Sequence, residues 1–166
     1  MNSISPDLVL QAVESVVGQS DDLTLLHEPS IPPLAWDFVK ECLDTGWVSS
    51  AGAFVTKFEE QLAKTTGANR AVAVVNGTAA LQVCLELSGV RAGDEVLTPS
   101  LSFVATANAI RHAHATPHFV DACPQRLSMC PEALLQRLEQ IATRKNGHWV
   151  NQETDARIAA ICPMHC

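Results

Sequence analysis

The stretch Ala71-Val72-Ala73-Val74-Val75-Asn76-Gly77-Thr78-Ala79-Ala80 joins a short apolar run to the start of a helical pattern. A continuous run of small apolar residues, such as 71–75, is typical of a strand that is buried on both faces of a parallel sheet. Asn76-Gly77-Thr78 interrupts the run, and the residues from Ala79 to Ser88 predict a helix that Gly89 ends. This stretch therefore predicts a strand, a break and a helix, in the order of a βαβ unit.

The same alternation continues toward the end of the chain. Further strands are predicted at 95–98, 117–121 and 157–161, helices at about 103–113 and from Pro131 onward, and a loop or hairpin over 144–155. Strands that alternate with helices indicate an α/β fold with a mostly parallel sheet and flanking helices.

The residues before 67 have a helical pattern instead. Helices are predicted at 6–17, 33–45 and 54–66, each followed by a glycine, and residues 25–29 are predicted to be extended. We therefore predict N-terminal helical arms over 1–66 and a partial α/β domain over 67–166.

Composition and charge exclude several classes of protein. The 166 residues include 18 acidic and 11 basic side chains, for a net charge of −7. No Lys/Arg block is present, so we expect binding neither to nucleic acid nor to a membrane surface. No segment approaches the roughly 18 apolar residues of a membrane span, and the N-terminus lacks the features of a signal peptide. These features favour a cytoplasmic protein.

The residues Asn76-Gly77-Thr78 are the sharpest candidate for chemistry. A helix that begins beyond the carboxyl end of a parallel strand offers unpaired N–H groups and the positive end of its dipole, which suits a phosphate. Gly77 would let the backbone approach that anion, and Thr78 would add a hydroxyl donor. The alternative is that Asn76 or Thr78 only caps the helix. The stretch matches neither the G-x-x-x-x-G-K-[ST] nor the G-x-G-x-x-G pattern, which argues against ATP and NAD.

A second candidate is the hydroxyl-rich stretch from Thr98 to Asn108, which contains the aromatic residue Phe103. Phe103 would be able to stack on a flat cofactor ring, although a phenylalanine at a helix start is more often part of the core. No metal site is predicted. His112 and His114 do not share a helix face, and Cys162, His165 and Cys166 are too loosely spaced to indicate one.

Several of these stretches also occur together in a characteristic order. They are Gly46-Trp47-Val48-Ser49-Ser50-Ala51-Gly52, Phe58-Glu59, Asn76-Gly77-Thr78-Ala79-Ala80-Leu81, Gly93-Asp94-Glu95-Val96-Leu97-Thr98-Pro99, Phe103-Val104-Ala105-Thr106-Ala107-Asn108-Ala109 and Phe119-Val120-Asp121. From about His27 to the last residue, the chain resembles the N-terminal part of the DegT/DnrJ/StrS family of pyridoxal-phosphate (PLP) sugar aminotransferases.

A narrower resemblance rests on Leu26-His27-Glu28-Pro29, on the segment from Lys145-Asn146-Gly147 to Asn151, and on Ile161-Cys162-Pro163-Met164-His165. These resemble the branch that aminates UDP-linked 4-keto-6-deoxy hexosamines for surface glycans of the legionaminic acid and bacillosamine type.

The resemblance implies a partial fold type I aminotransferase domain and roles for individual residues. Gly77, Thr78 and Ala79 would hold the PLP phosphate, and Phe103 would stack on the pyridine ring. The loop residues Trp47, Val48, Ser49 and Ser50 would lie near the sugar. The implied partners are a UDP-linked keto sugar, an amino donor (glutamate in the family) and, in the intact parent, a second copy in a homodimer.

The family also needs a Schiff-base lysine and a carboxylate against the pyridine nitrogen, and both lie beyond the strand at 157–161. The lysines of this chain, Lys40, Lys57, Lys64 and Lys145, match neither position. We therefore expect a C-terminally truncated aminotransferase that is itself inactive. Three alternatives stay open: a PLP sugar dehydratase of the same fold, a non-catalytic module that binds a phosphate or sugar nucleotide, and a pseudogene product or partial gene model with no function.

Overall fold

A computed structural model of the chain describes residues 5–19, 23 and 29–164. The helices there are α1 (Pro6–Val17), α2 (Pro33–Thr45), α3 (Ala53–Thr66), α4 (Gly77–Leu87), α5 (Val104–His112) and α6 (Pro131–Ile141). The strands are β1 (Glu95–Pro99), β2 (Thr116–Val120), β3 (Ala142–Lys145), β4 (His148–Asn151) and β5 (Ile158–Ile161). The chain divides into two compact units, residues 1–54 and 55–166. The predicted division into 1–66 and 67–166, which follows sequence pattern, stays a prediction.

The first unit is helical, as predicted, because local signals define where its helices begin and end. Ser5 Oγ accepts a hydrogen bond from Asp7 N–H at 3.3 Å and so caps α1, and Gly18 follows this helix with a φ of 83°. Gly46 ends α2 in the left-handed conformation, which glycine adopts without steric cost. Residues 25–28 of the predicted extended segment lie outside the described residues.

The second unit is built on a parallel sheet in the order β2-β1-β5, which confirms the predicted α/β class. Glu95 of β1 lies opposite Thr116 of β2, and Leu97 lies opposite Ile161 of β5. The segment predicted as a loop or hairpin contains an antiparallel hairpin, β3–β4.

The predicted strand at 71–75 was wrong. The segment has no regular structure, and the side chains of Val72 and Val75 are 78% and 89% exposed. The N–H of Ala73 donates to Glu59 Oε1 at 2.7 Å instead of to a neighbouring strand. Composition alone cannot make a strand, because a strand forms only where another backbone accepts and donates its ladder of hydrogen bonds. None of the described strands pairs with this segment.

The hydrophobic core lies between the sheet and helices α4 and α5. Every residue of β1 is buried. Val96 belongs to a cluster with Leu85, Val90, Ala109 and Ile110. Burial of a valine or isoleucine side chain contributes about 1.5–3 kcal/mol, so this cluster anchors both helices against β1. It thereby holds α5, which follows the carboxyl end of β1, in place.

An ion pair joins Arg157, just before β5, to Asp94, just before β1. Arg157 Nε donates to Asp94 Oδ1 at 3.0 Å, and Arg157 Nη2 donates to Asp94 Oδ2 at 2.5 Å. Burial alone would raise the pKa of Asp94. The hydrogen bonds from Arg157 and from the N–H of Arg91 outweigh burial and lower that pKa below its ordinary value of 3.8.

The carboxylate of Glu95, only 3% exposed, lies at the centre of a second polar network. Its Oε1 accepts from Thr154 Oγ1 at 2.6 Å, and its Oε2 accepts from Asn151 Nδ2 at 2.8 Å. Its Oε2 also lies 3.0 Å from His118 Nδ1, while Arg137 Nε donates to His118 Nε2 at 3.0 Å. Since Nε2 accepts a hydrogen bond, the proton of this histidine sits on Nδ1 and is donated to Glu95.

Burial raises the pKa of Glu95, but the hydrogen bonds from Thr154, Asn151 and His118 outweigh it and hold the pKa below the ordinary value of 4.5. A carboxylate whose folded-state pKa is depressed stabilises the fold fully above its unfolded pKa. The stabilisation disappears as the pH falls through the folded value. The stabilisation from Asp94 and Glu95 is therefore present at neutral pH and lost on acidification below about 4.5.

Replacing Glu95 with Gln is expected to lower the free energy of unfolding by about 2–3 kcal/mol at neutral pH, because the negative charge is lost and the amide NH2 would face the donors that now bind the oxygen it replaces. Urea unfolding followed by circular dichroism measures this difference, and it should shrink as the pH falls toward 3. The control is Glu60→Gln on the exposed side of α3, which should change stability by no more than about 0.5 kcal/mol. A Glu95→Gln chain as stable as the parent would contradict the account of the network.

Candidate functional site

The candidate site lies at the carboxyl edge of the parallel sheet. β1 ends at Pro99 and β2 ends at Val120, and the N–H of Ser100 donates to the carbonyl of Val120 at 3.0 Å. The chain then passes through residues 100–103 into α5. In open parallel sheets ligands bind beyond this edge, where the helices that follow the strands begin.

The start of α4 presents free hydrogen-bond donors. Asn76 is the N-cap, and its Oδ1 accepts from Ala79 N–H at 2.9 Å. Among the described residues, the N–H groups of Gly77 and Thr78 have no partner. A Cβ atom at Gly77 would meet no other atom within 4 Å, so this position is uncrowded among the described residues. Two N–H groups without a partner, together with the positive end of the helix dipole, suit an anion.

The two interpretations of Asn76-Gly77-Thr78 are compatible. Asn76 caps the helix, but it uses only the N–H of Ala79. The N–H groups of Gly77 and Thr78 stay available for a phosphate, whereas that of Ala79 is engaged. The phosphate-binding role predicted for Gly77, Thr78 and Ala79 stays a prediction. Gly77 and Thr78 have the free N–H groups that this role needs.

Phe103 is not a core residue. It is the N-cap of α5, with φ −65° and ψ 139°, and its side chain is 78% exposed. A phenylalanine cannot cap a helix with its side chain, and this position forgoes about 1 kcal/mol relative to Ser, Asn or Asp. The ring is therefore placed at the edge of the sheet at a cost in stability, and one of its faces is available to stack on a ligand.

Phe103 also lines a cavity of about 230 Å³ at the carboxyl end of β1. The lining includes Thr98, Ser102, Thr106 and Phe119, but none of the residues 77–79. The hydroxyl of Thr98 is buried and has no hydrogen-bond partner among the described residues. The exposed aromatic ring of Phe103 suits a flat polar ring, and the free N–H donors at the start of α4 suit a phosphate.

The predicted sugar-binding residues belong to the first unit, whereas Gly77, Thr78, Ala79 and Phe103 belong to the second. Trp47 and Val48 follow α2 with exposed fractions of 62% and 71%, and Ser49 and Ser50 are also exposed. Their role toward a substrate stays a prediction.

The described residues contain no group of three His, Cys, Asp or Glu side chains that would hold a metal ion. His165 and Cys166 lie outside the described residues. In the same part of the chain, no helix is long and apolar enough to cross a bilayer.

Sequence reasoning missed two features of this edge. One is the unpaired hydroxyl of Thr98, which depends on the packing around it. The other is the hydrogen bond from Ser102 Oγ to Thr106 Oγ1 at 2.9 Å, which spans the start of α5. The signal for the second feature was a phenylalanine at the start of a predicted helix, with the hydroxyl residues Ser102 and Thr106 nearby in sequence.

Residues 33–162 match the DegT/DnrJ/EryC1/StrS aminotransferase family. The chain belongs to this family. The cofactor of this family is pyridoxal phosphate, which confirms the cofactor implied by the resemblance. The match supports sugar aminotransferases in general, while the narrower branch of legionaminic acid and bacillosamine synthesis stays unconfirmed.

The chain is similar to the GDP-perosamine synthase of Escherichia coli O157:H7, with 37% identity over 113 residues that cover 68% of the chain and 31% of that protein. It is 45% identical over 96 residues to the spore coat polysaccharide biosynthesis protein SpsC of Bacillus subtilis (strain 168), covering 58% and 24% of the two chains. The chain thus spans less than a third of these relatives. Among solved structures, Spr1654 of Streptococcus pneumoniae in its PLP-form is 30% identical, with a TM-score of 0.58 over 65% of this chain and 27% of that one.

Replacing Thr98 with Val is expected to raise the free energy of unfolding by about 1 kcal/mol, because it removes an unpaired buried hydroxyl while keeping the shape. Urea unfolding without ligand measures this change. The matched control on the same strand is Val96→Thr, which buries a new hydroxyl in the core and should cost about 1–3 kcal/mol. A loss of stability in Thr98→Val would show that this hydroxyl is paired in solution.

Proposed function

We propose that this chain is the part of a nucleotide-sugar aminotransferase that holds the phosphate of the cofactor. Residues 67–166 would be part of its large domain, and residues 1–66 would be its helical arms. The observation that carries the proposal is the pair of free N–H groups at Gly77 and Thr78, at the start of a helix in a chain of this family. The whole protein would act in the cytoplasm as a homodimer.

Each residue of the site has a definite task in this proposal. Gly77 and Thr78 donate their N–H groups to the cofactor phosphate, and the hydroxyl of Thr78 adds a third donor. Ala79 joins them when the phosphate replaces Asn76 as its acceptor. The ring of Phe103 stacks on one face of the pyridine and keeps water from that face. When bound, the cofactor supplies an electron sink for moving an amino group onto a keto carbon.

The proposed substrate is a nucleotide-linked 4-keto-6-deoxy sugar destined for a surface glycan, with glutamate as the amino donor. Similarity to a GDP-perosamine synthase and to a spore coat polysaccharide protein supports this class. The narrower resemblance to the legionaminic acid and bacillosamine branch favours UDP over GDP as the nucleotide. Trp47, Val48, Ser49 and Ser50 would contact the sugar.

We further propose that the 166 residues alone do not turn over. Lys40 pairs with Asp44 on α2, and Lys145 donates to Asp155 at 2.7 Å on the hairpin. Lys57 and Lys64 lie on α3. None of these four lysines matches the position of the Schiff-base lysine that the resemblance implies for the family.

Binding of inorganic phosphate and of pyridoxine 5′-phosphate tests the phosphate site. Pyridoxine 5′-phosphate has no aldehyde, so it does not attach to surface lysines. Titration calorimetry should detect both ligands, and Thr78→Val should weaken both about tenfold because it removes one donor to an anion. The control is Thr45→Val on α2, whose hydroxyl bonds the carbonyl of Glu41 at 2.6 Å and which should leave both affinities unchanged. If the chain bound a UDP-sugar but neither phosphate ligand, the proposal would fail in favour of a non-catalytic module.

Absence of turnover is tested by incubating the chain with PLP, glutamate and either a UDP-linked or a GDP-linked 4-keto-6-deoxy sugar. We expect no aminated sugar by mass spectrometry, and no stoichiometric lysine adduct after borohydride reduction in the presence of PLP. Turnover would overturn the claim of inactivity, and the sugar that reacts would then identify the nucleotide. Free PLP without protein controls for uncatalysed amination.

A further inference from the structure

Packing against neighbouring side chains does not hold the exposed ring of Phe103 in place. Core side chains are held by their neighbours, but this side chain is 78% exposed. The backbone at the start of α5 therefore matters more here than for a core residue, because it sets the direction in which the side chain leaves the helix. An aromatic ring that is held in place before the ligand arrives binds that ligand more tightly than a mobile one, because less conformational freedom is lost on binding.

The backbone at Phe103 is held by a closed ring of interactions. Ser102 precedes Phe103 in the chain, and its Oγ donates to Thr106 Oγ1 at 2.9 Å. Thr106 in turn donates its N–H to the carbonyl of Phe103 at 3.0 Å. The peptide bond, the backbone hydrogen bond and the hydroxyl–hydroxyl bond together enclose Phe103. Both hydroxyl residues are partly buried and line the same cavity as the ring.

This arrangement replaces the usual cap. In most helices the N-cap side chain itself bonds to the first turn, and Ser, Thr, Asn and Asp serve best. At α5 the N-cap is aromatic and makes no such bond. The bond between Ser102 and Thr106 closes the first turn from the position before the cap. A helix start selected for stability alone would instead carry a capping residue at position 103.

We propose that Ser102 and Thr106 are positioning residues that hold the ring of Phe103 against the pyridine ring of the cofactor. They act through Phe103 and need not touch the ligand. This inference rests on the proposed function, because it assumes that Phe103 stacks on the cofactor ring. The inference adds Ser102 and Thr106 to the candidate site. The residues that hold the cofactor ring are then at the start of α5, whereas those that hold the phosphate are at the start of α4.

The test compares two ligands of the full chain, pyridoxine 5′-phosphate and inorganic phosphate. Ser102→Ala and Thr106→Val should each weaken pyridoxine 5′-phosphate about three- to tenfold, which corresponds to the loss of one neutral hydrogen bond. Affinity for inorganic phosphate should not change, since the free donors are on α4. Ser102→Thr keeps the hydroxyl and should keep the parent affinity for both ligands. Circular dichroism verifies that each variant is folded.

Phe103→Ala is the reference variant, and it separates failure of the inference from failure of the proposed function. It should weaken pyridoxine 5′-phosphate at least as much as Ser102→Ala, and the double variant should lose no more than Phe103→Ala alone. If Phe103→Ala changes nothing, the stacking role of the proposed function is wrong. If Phe103→Ala weakens binding but Ser102→Ala and Thr106→Val do not, the positioning inference is wrong. Equal weakening of both ligands by Ser102→Ala would also overturn it, because that is the result of a general structural defect.

Discussion

The complete burial of β1 is the constraint on which the rest of the second unit depends. The strand is flanked by β2 and β5, and Val96 and Leu97 are inaccessible to solvent. A strand in this position needs a partner for every polar group at its ends. At the amino end, Asp94 and Glu95 receive hydrogen bonds from residues far along the chain, including Arg157 and Asn151. The amino end is therefore a closed network of charges and amides.

The carboxyl end of the same strand is different. Thr98 is as buried as its neighbours, yet its hydroxyl has no partner among the described residues. Near it lies the exposed aromatic ring of Phe103, which lines the same cavity. One end of the sheet thus uses its polar groups to hold the fold, and the other leaves them available. This asymmetry is what a binding site at the carboxyl edge requires.

Features encoded by neighbouring residues could be predicted from the sequence. The spans of α1 and α2 follow from Pro6 and Pro33 at their starts and from Gly18 and Gly46 after their ends. The free donors of Gly77 and Thr78 could be predicted for the same reason. The strand at 71–75 could not be judged locally, since its existence depends on a partner strand. The partners of Glu95 could not be predicted from its sequence neighbours either, because His118 and Asn151 lie 23 and 56 residues away in the chain.

The aromatic N-cap of α5 has a consequence for anyone who engineers this chain. Selection for heat resistance alone would favour replacement of Phe103 by serine or asparagine, since either residue would cap the helix. The resulting protein would melt later and would have lost the ring. Libraries that screen for thermal tolerance should therefore keep codon 103 constant, or combine the heat challenge with a ligand-dependent readout.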